Sequence, residues 1–514
     1  MSAKRPILAT AFTEGLCVLI IEIAGARALA PFYGTSLRVW TAQITATLLF
    51  LALGYGLGGR LSRAAGRYSL PGVFWAAGAW LALFPWLRVT VLTATATLPG
   101  VGLGAFLASA LLFGLPLLCL GAVSPLLIQR LQEGDRGGAA AGGIFLTNTL
   151  GGLAGGWLTA LALVPHLPLR LVLAGTGLVL ALLGSLWAWS LRKPAPSVGL
   201  PLLLAISMLV APRPARSFPL GGGTGIILHS QASSVGLIQV LDQQRGGYSQ
   251  AVSLIVDGIT QGGMERGTGL TAYEFSEYQA MLAWRYHPQA KRALLLGLGS
   301  GMLAKELQLR GLDVEVAEIE PAMEAVAREY FGLPSQVRVH DQDGRAYLAR
   351  STEAYDLIFL DAFAGENAPW YLMTVEGLSS MRQHLAPGGR LLINTVTGDQ
   401  GSPGLDRLEA GLAQVFPQAL AFVDQPRDQE NQGLVNACLV AGADLKPTAL
   451  PYHSPVLPFI ADRAKGLLAF ERPVKKGGPV CTDELSDLES ADAPLRLKWR
   501  KIVLEQMGAA VLGD

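Results

Sequence analysis

Cysteine is scarce in this chain. Its 514 residues hold four, Cys17, Cys119, Cys438 and Cys481. The first two lie in apolar runs and no pair has metal-ligand spacing, which excludes a disulfide framework and a zinc site; no metal is expected. Charge is scarce too, at 15% Asp, Glu, Lys and Arg. No basic tract carries interleaved aromatics, so nucleic acid is not an expected partner. The first apolar run lacks a small-residue cleavage signal and contains Glu14 and Glu22, which argues against a signal peptide. The charge that is present divides unevenly. Of 40 basic and 39 acidic residues, 13 and 4 fall within 1–212, about +9 there and about −8 in the remainder. A near-neutral total hides an apolar, Gly-rich first half and a second half with the charge density of a soluble domain.

Long apolar runs fill the first half. Six are long enough to span a bilayer, roughly 7–30, 40–59, 71–93, 102–128, 140–164 and 169–191. A seventh, 198–211, is about 14 residues long with Pro201 inside, and fits an interfacial or re-entrant segment better. Lys4/Arg5, Arg60/Arg63/Arg67, Arg130/Arg136 and Arg192/Lys193 fill alternate loops, against Arg38, Arg88 and Arg170 in the others. By the positive-inside rule, six spans put the N-terminus and the soluble half in the cytoplasm, at an inner (plasma) membrane; a seventh would put that half outside. Gly142-Gly143 and Gly151-Gly152-Leu153-Ala154-Gly155-Gly156 read as helix-packing seams or as a transport path. Glu14, Glu22 and Arg27 fall in the first span. A charge at the bilayer centre costs about 2.5–3.5 kcal/mol on insertion scales, so they must face protein, water or an interface. Structural pairing and a polar path both stay open.

Pro212 to Gly225 reads as a linker. Short alternating runs over 226–258, with Arg245-Gly246-Gly247 as a turn, predict a small antiparallel β unit. A helix follows around 272–286. Strands near 293–298, 313–318, 336–340, 355–361 and 389–396 alternate with helical patterns, and later ones lie near 418–424 and 434–440. That alternation predicts a mostly parallel sheet with its ligand at the strand ends. Residues 441–492 read as irregular, and an amphipathic helix over 494–507 carries Lys498, Arg500 and Lys501. The expected organisation is a transmembrane domain over 1–212, a linker over 213–225, a β unit over 226–262, a Rossmann-like domain over 263–445 and an extension over 446–514.

The stretch Leu294 to Gly301 carries the chemistry. An apolar strand enters the turn Gly297-Leu298-Gly299-Ser300-Gly301, and a helix follows. Glycines allow close backbone approach, and the helix N-terminus favours electron-rich groups. The next strand ends on Glu318, placed to take both hydroxyls of a ribose. Asp343-Gly344 closes a third strand, where the carboxylate serves an adenine amino group or simply caps a helix. Tyr355 to Asp361 is a fourth strand ending in an acid. Met302 stands where a nicotinamide-type GxGxxG has its third glycine. The layout is that of an α/β Rossmann-like class I S-adenosylmethionine-binding domain, here following a multi-pass α-helical membrane domain and a small N-terminal β unit.

Residues 226–440 resemble the spermidine synthase (polyamine aminopropyltransferase) family. Asp257-Gly258 to Gln261 matches its DG-x-x-Q, Tyr278-Gln279 its Y-Q pair, Gly297 to Gly301 its glycine turn, Glu318-Ile319-Glu320 its E-I-D, Asp343-Gly344 its adenine-binding DG, and Asp361 the first acid of its D-x-x-D. The first half resembles the fused, multi-pass branch through Thr13-Glu14-Gly15 with Ile21-Glu22 and Arg27, Leu53-Gly54-Tyr55-Gly56-Leu57-Gly58, and Asn148-Thr149-Leu150-Gly151-Gly152. Thr482-Asp483-Glu484 echoes its C-terminal TDD. The resemblance implies Asp361 and Tyr278 as catalytic residues. It implies Gln261, Gln279, Gly297, Gly299, Ser300, Gly301, Glu318, Asp343 and Gly344 as nucleoside contacts. Intact or decarboxylated S-adenosylmethionine would be the substrate. A small-molecule substrate and a lipid bilayer are the expected partners; a homodimer is left open.

Two positions depart from the family. Ser300 and Ala364 stand where soluble members have acids that hold amines, each contact worth about 1.5–3 kcal/mol. Three readings follow. The first is cleavage of the sulfonium–Cγ bond with release of 5′-methylthioadenosine, to a polyamine or to the substrate's own carboxylate. The others are methyl transfer on the same fold, and a non-enzymatic transporter or sensor. The two missing acids predict turnover of intact S-adenosylmethionine without added polyamine.

Overall fold

The computed structural model describes residues 4–64, 69–98, 100–132, 137–191, 201, 216–363, 365, 369–425, 433–448 and 455–507. Most of the 198–211 run, Ala364 and the basic residues Arg67, Arg136, Arg192 and Lys193 lie outside them. The chain forms two compact units, Met1–Ala215 and Arg216–Gly508.

The first unit is helical. Five of its helices are long and apolar enough to cross a membrane: Lys4–Tyr33, Leu37–Arg63, Val101–Leu131, Gly137–His166 and Leu169–Ser190. The run expected as a straight third span is a pair of helices, Leu70–Ala82 and Phe84–Ala96, bent by 67°. Pro85 sits at the start of the second helix of the pair, where a missing N–H is harmless but continuation of the first is not. Glycines set the packing seams. A side chain at Gly15 would overlap the Asn148 backbone, one at Gly151 the Phe12 backbone, and one at Gly58 the Ala122 backbone. The helices therefore meet at backbone distance, as small residues permit.

The second unit opens with a five-strand antiparallel meander: β1 (Ser217–Leu220), β2 (Gly223–Ala232), β3 (Leu237–Arg245), β4 (Tyr248–Val256) and β5 (Ile259–Glu265). It begins earlier and ends later than the 226–258 alternation suggests. Asp257 and Gly258, at φ 47° and 83°, form the two-residue turn between β4 and β5. Both central positions need positive φ, and Asp-Gly supplies it.

The larger sheet contains β6 (Arg292–Leu296), β7 (Asp313–Glu318), β8 (Arg338–Asp341), β9 (Tyr355–Leu360), β10 (Leu385–Gly398), β11 (Gln418–Val423), β12 (Leu434–Gly442) and β13 (Glu471–Pro473). Their order is β13-β11-β12-β10-β9-β6-β7-β8. Strands β6 to β10 run parallel, and β12 is antiparallel between β10 and β11. Leu295 and Leu294 point to opposite faces and join separate cores. One core holds Tyr278 and Leu282 of the helix Glu274–Tyr286; the other holds Leu378 and Met381 of Val375–Gln383. The region read as irregular holds a helix, Pro458–Leu467, and the edge strand β13. Pro473 is tolerated because β13 pairs on one side only.

Candidate nucleoside and sulfonium site

The chain leaves β6 toward β7 on one side, while β9 lies on the other. This is the switch point at which an open α/β sheet binds ligands. Gly297 there has φ 101°, and a Cβ on it would come within 2.5 Å of the Asp361 carbonyl oxygen. Only glycine lets the β6 turn close against the end of β9. Gly299 and Gly301 also have positive φ, and Gly301 opens the helix Met302–Leu309. Ser300 is buried against Gly262, whose missing side chain leaves room for its hydroxyl.

Glu318 ends β7 and is buried. Its two carboxylate oxygens accept the Leu298 N–H at 2.8 Å and the Glu320 N–H at 2.9 Å. The carboxylate thus fixes the glycine turn as well as offering acceptors to a diol. Burial pushes its pKa up, against the lowering effect of those N–H groups. Asp343 caps the helix Gly344–Arg350, accepting the Arg345 and Ala346 N–H groups at 3.0 Å. Its other oxygen accepts the Tyr371 hydroxyl at 2.6 Å. The capping alternative left open by the sequence is therefore realised, and Tyr371 shares the carboxylate. Gly344 packs on Leu296.

Asp361 sits half-buried at the tip of β9. Gln279 donates to it at 2.7 Å and Asn394 of β10 at 3.0 Å. Burial raises its pKa, opposed by these two bonds. Gln279 keeps a buried amide oxygen without a partner among the described residues. Its neighbour Tyr278 is fully buried and donates at 2.7 Å to Asp424, just past the end of β11. Both acids bear on the Cys438 thiol between them. Gln261 donates at 2.8 Å to the Gly365 carbonyl, closing the β5 start onto the segment that follows Asp361. Arg500, buried on Ala493–Met507, donates to the Asp257 carbonyl of the neighbouring turn.

The structure thus gathers Gln261, Gln279, Gly297, Gly299, Ser300, Gly301, Glu318 and Asp361 around one strand edge, with Asp343 and Gly344 beyond Glu318. Tyr278 reaches the edge through Asp424. Asn394, Asp424 and Tyr371 were not singled out from sequence. Asn394 and Asp424 carry a signal, as polar residues that directly follow the apolar runs Leu391-Leu392-Ile393 and Leu420-Ala421-Phe422-Val423. Asp483 pairs with Arg345 at 2.5 Å and accepts from Thr374 at 2.8 Å, which ties the TDE segment to the helix behind Asp343.

The sheet order defines the class, a Rossmann-like α/β fold. No protein-family profile matches the chain. It is 32% identical over 171 residues to a probable polyamine aminopropyl transferase of Bifidobacterium longum, covering 32% of this chain and 35% of that one. It is 38% identical over 117 residues to a polyamine aminopropyltransferase of Vibrio vulnificus, covering 21% and 39%. An N-terminal histidine N-methyltransferase of Emericella nidulans is 36% identical over 107 residues, covering 20% and 19%. The chain spans less than two fifths of the length of each of these relatives. Two of these relatives are named as polyamine aminopropyltransferases and the third as a methyltransferase.

Proposed function

We propose that the chain is a membrane-bound, aminopropyltransferase-like enzyme that cleaves the sulfonium–Cγ bond of S-adenosylmethionine or its decarboxylated form. The observation that carries this reading is Asp361. It stands at the switch point beside the glycine turn, oriented by Gln279 and Asn394. Glu318 would hold the ribose and the Asp343 end the adenine, so the sulfonium falls between the turn and Asp361. A nucleophile's lone pair attacks Cγ, the S–Cγ bond breaks, and its electron pair neutralises the sulfonium. The products are 5′-methylthioadenosine and an alkylated acceptor. An amine acceptor loses its proton to Asp361, whose raised pKa suits a base. A substrate carboxylate would instead close on its own Cγ and release no proton. The sulfonium is a good leaving group, so catalysis needs in-line geometry above all.

Methyl transfer on the same fold is the second reading, favoured by the methyltransferase similarity. Product analysis on the purified full chain separates the two. Methylthioadenosine supports C–S cleavage, and S-adenosylhomocysteine would replace it with methyl transfer. The helical unit is proposed to lie in the inner membrane with residues 213–514 in the cytoplasm. Five apolar helices and one bent pair, with basic residues in alternate loops, support this. An alkaline-phosphatase reporter fused after residue 225 is expected to be inactive; strong periplasmic activity would reverse the topology.

A further inference from the structure

The three motifs of the helical unit play no part in the proposed reaction, yet they meet at one point. Glu14 of the first motif is 1% exposed. It accepts from the Ser124 hydroxyl at 3.1 Å and hydrogen-bonds the Asn148 side chain of the third motif. Tyr55 of the second motif and Cys17 lie near enough to feel its charge. The glycines explain the convergence. Gly15 and Gly151 bring Lys4–Tyr33 against Gly137–Leu158, and Gly58 brings Leu37–Ala64 against Val101–Gln132. Ser124 and Asn148 are thereby held against one carboxyl group. Among the described residues no Lys, Arg or His forms an ion pair with it. Further along the same bundle, Gln43 Nε2 and Thr47 Oγ1 are buried without a hydrogen-bond partner among the described residues. Gln43 packs against Gly25, about 16 Å along the first helix from Glu14. A dry packing seam does not collect unmatched polar groups, and an intramembrane carboxyl held by neutral partners, with no cation beside it among the described residues, is a candidate functional site.

We propose that Glu14, Ser124 and Asn148 form an intramembrane binding site for a monovalent cation that exchanges with a proton on Glu14. The proposal rests on the membrane placement above but not on the chemistry of the second unit. The proton-bound carboxyl is neutral and stable in the apolar bundle. A cation takes its place by ionising Glu14 and using the hydroxyl and amide oxygens as further ligands. Cys17 and Tyr55 are the other titratable groups facing it, one from its own helix and one from Leu37–Ala64.

The test uses the full chain in phosphatidylethanolamine–phosphatidylglycerol vesicles and a hydrophobic carbodiimide, which modifies protonated carboxyls in apolar surroundings. Modification of the Glu14 peptide is read by mass spectrometry from pH 5 to 9, with and without sodium, potassium or methylammonium. Glu14 is expected to label, and at least one cation should suppress labelling about 10-fold in a saturable way. Ser124→Ala should still label but lose most of that protection, and Glu14→Gln should remove the labelled peptide. Absence of labelling at every pH, or labelling that no cation suppresses, overturns the site. Release of the chain from vesicles by alkaline carbonate overturns the membrane placement itself, and the site with it.

Discussion

Replacing Glu318 by glutamine tests the nucleoside site most directly. Each carboxylate oxygen has two lone pairs, and one on each is used by a backbone N–H, of Leu298 at 2.8 Å and Glu320 at 2.9 Å. The Ile319 N–H also bears on the carboxylate, and its remaining lone pairs are what the ribose hydroxyls would use. An amide keeps a single acceptor oxygen, and its NH₂ must face one of the two backbone donors. Glu318→Gln therefore loses one charged contact to the ribose and weakens the other. A hydrogen bond to a charged group is worth about 1.5–3 kcal/mol. We expect methylthioadenosine affinity to fall by about 2–3 kcal/mol, roughly 30- to 140-fold. Titration calorimetry on the full chain measures it, with a thermal melt as control for the turn. Affinity should also carry a pH signature. Burial raises the Glu318 pKa, and only the ionised form accepts both hydroxyls, so wild-type binding weakens on acidification sooner than an ordinary glutamate would allow. Glu318→Gln should lack that acid limb. Wild-type affinity in a normally melting Glu318→Gln protein would refute the placement of the ribose.

Three further outcomes are expected. If an amine is the acceptor, Asp361→Asn should lower methylthioadenosine release at least about 100-fold through loss of the base; closure by the substrate's own carboxylate, which releases no proton, should be far less affected. The variant should nevertheless melt no lower than wild type at pH 7. The folded pKa of Asp361 lies above the unfolded one, so its charge subtracts stability at neutral pH, and the subtraction fades below the ordinary carboxyl range; a markedly lower melt would show that burial is not the dominant influence. The spare amide oxygen of Gln279 can take the new NH₂. Asp343→Ala should lower stability by about 0.5–2 kcal/mol through loss of the helix cap, and nucleoside affinity less than Glu318→Gln does; unchanged denaturation would contradict the capping role. If an amine proves to be the acceptor, Asp424→Asn should raise its KM about 10-fold with kcat nearly constant, as loss of a charged contact requires; an unchanged KM would leave Asp424 a purely structural partner of Tyr278.

The elements legible in the sequence were those with a strong local signal. Leu294 to Gly301 announces both a strand and its turn, because an apolar run meets three glycines that each take positive φ. Residues Pro458–Leu467 lie in a stretch that reads as irregular, yet Ile460, Ala464 and Leu467 have helical spacing and are buried together on one face. β13 is three residues long and includes a proline, so no local preference marks it; its pairing with β11 does. The kink after Ala82 was masked by uniform hydropathy over 71–93, although Pro85 stood in plain view. The site divides similarly. Glu318 and Asp361 are acids at strand ends and can be read in one dimension. The partnership of Tyr278 with Asp424 spans 146 residues and exists only once the helix Glu274–Tyr286 lies across the sheet.

That partnership bears on the two departures from the family. Counting acids along the sequence suggests a pocket short of negative charge, with Ser300 neutral and Ala364 outside the described residues. Counting along the strand edge gives a different balance. Asp424 follows β11, and β11 lies three strand spacings from β9, about 14 Å. Helix Glu274–Tyr286 links the two acids through adjacent residues, with Gln279 on Asp361 and Tyr278 on Asp424. This chain thus keeps a buried acid near β11, away from the glycine turn. Near the turn a neutral Ser300 removes the repulsion that an acid would exert on the carboxylate of intact S-adenosylmethionine. Near β11 we propose Asp424 as the acid that would receive an ammonium group. The two consequences are separable. Intact and decarboxylated substrate should differ in their response to Ser300→Asp, with the intact form losing more affinity because like charges are brought together. Dependence on an added amine should respond to Asp424→Asn and not to Ser300→Asp. Loss of the same affinity for both substrates in Ser300→Asp would mean that the substitution disturbs the packing against Gly262 and reports nothing about charge.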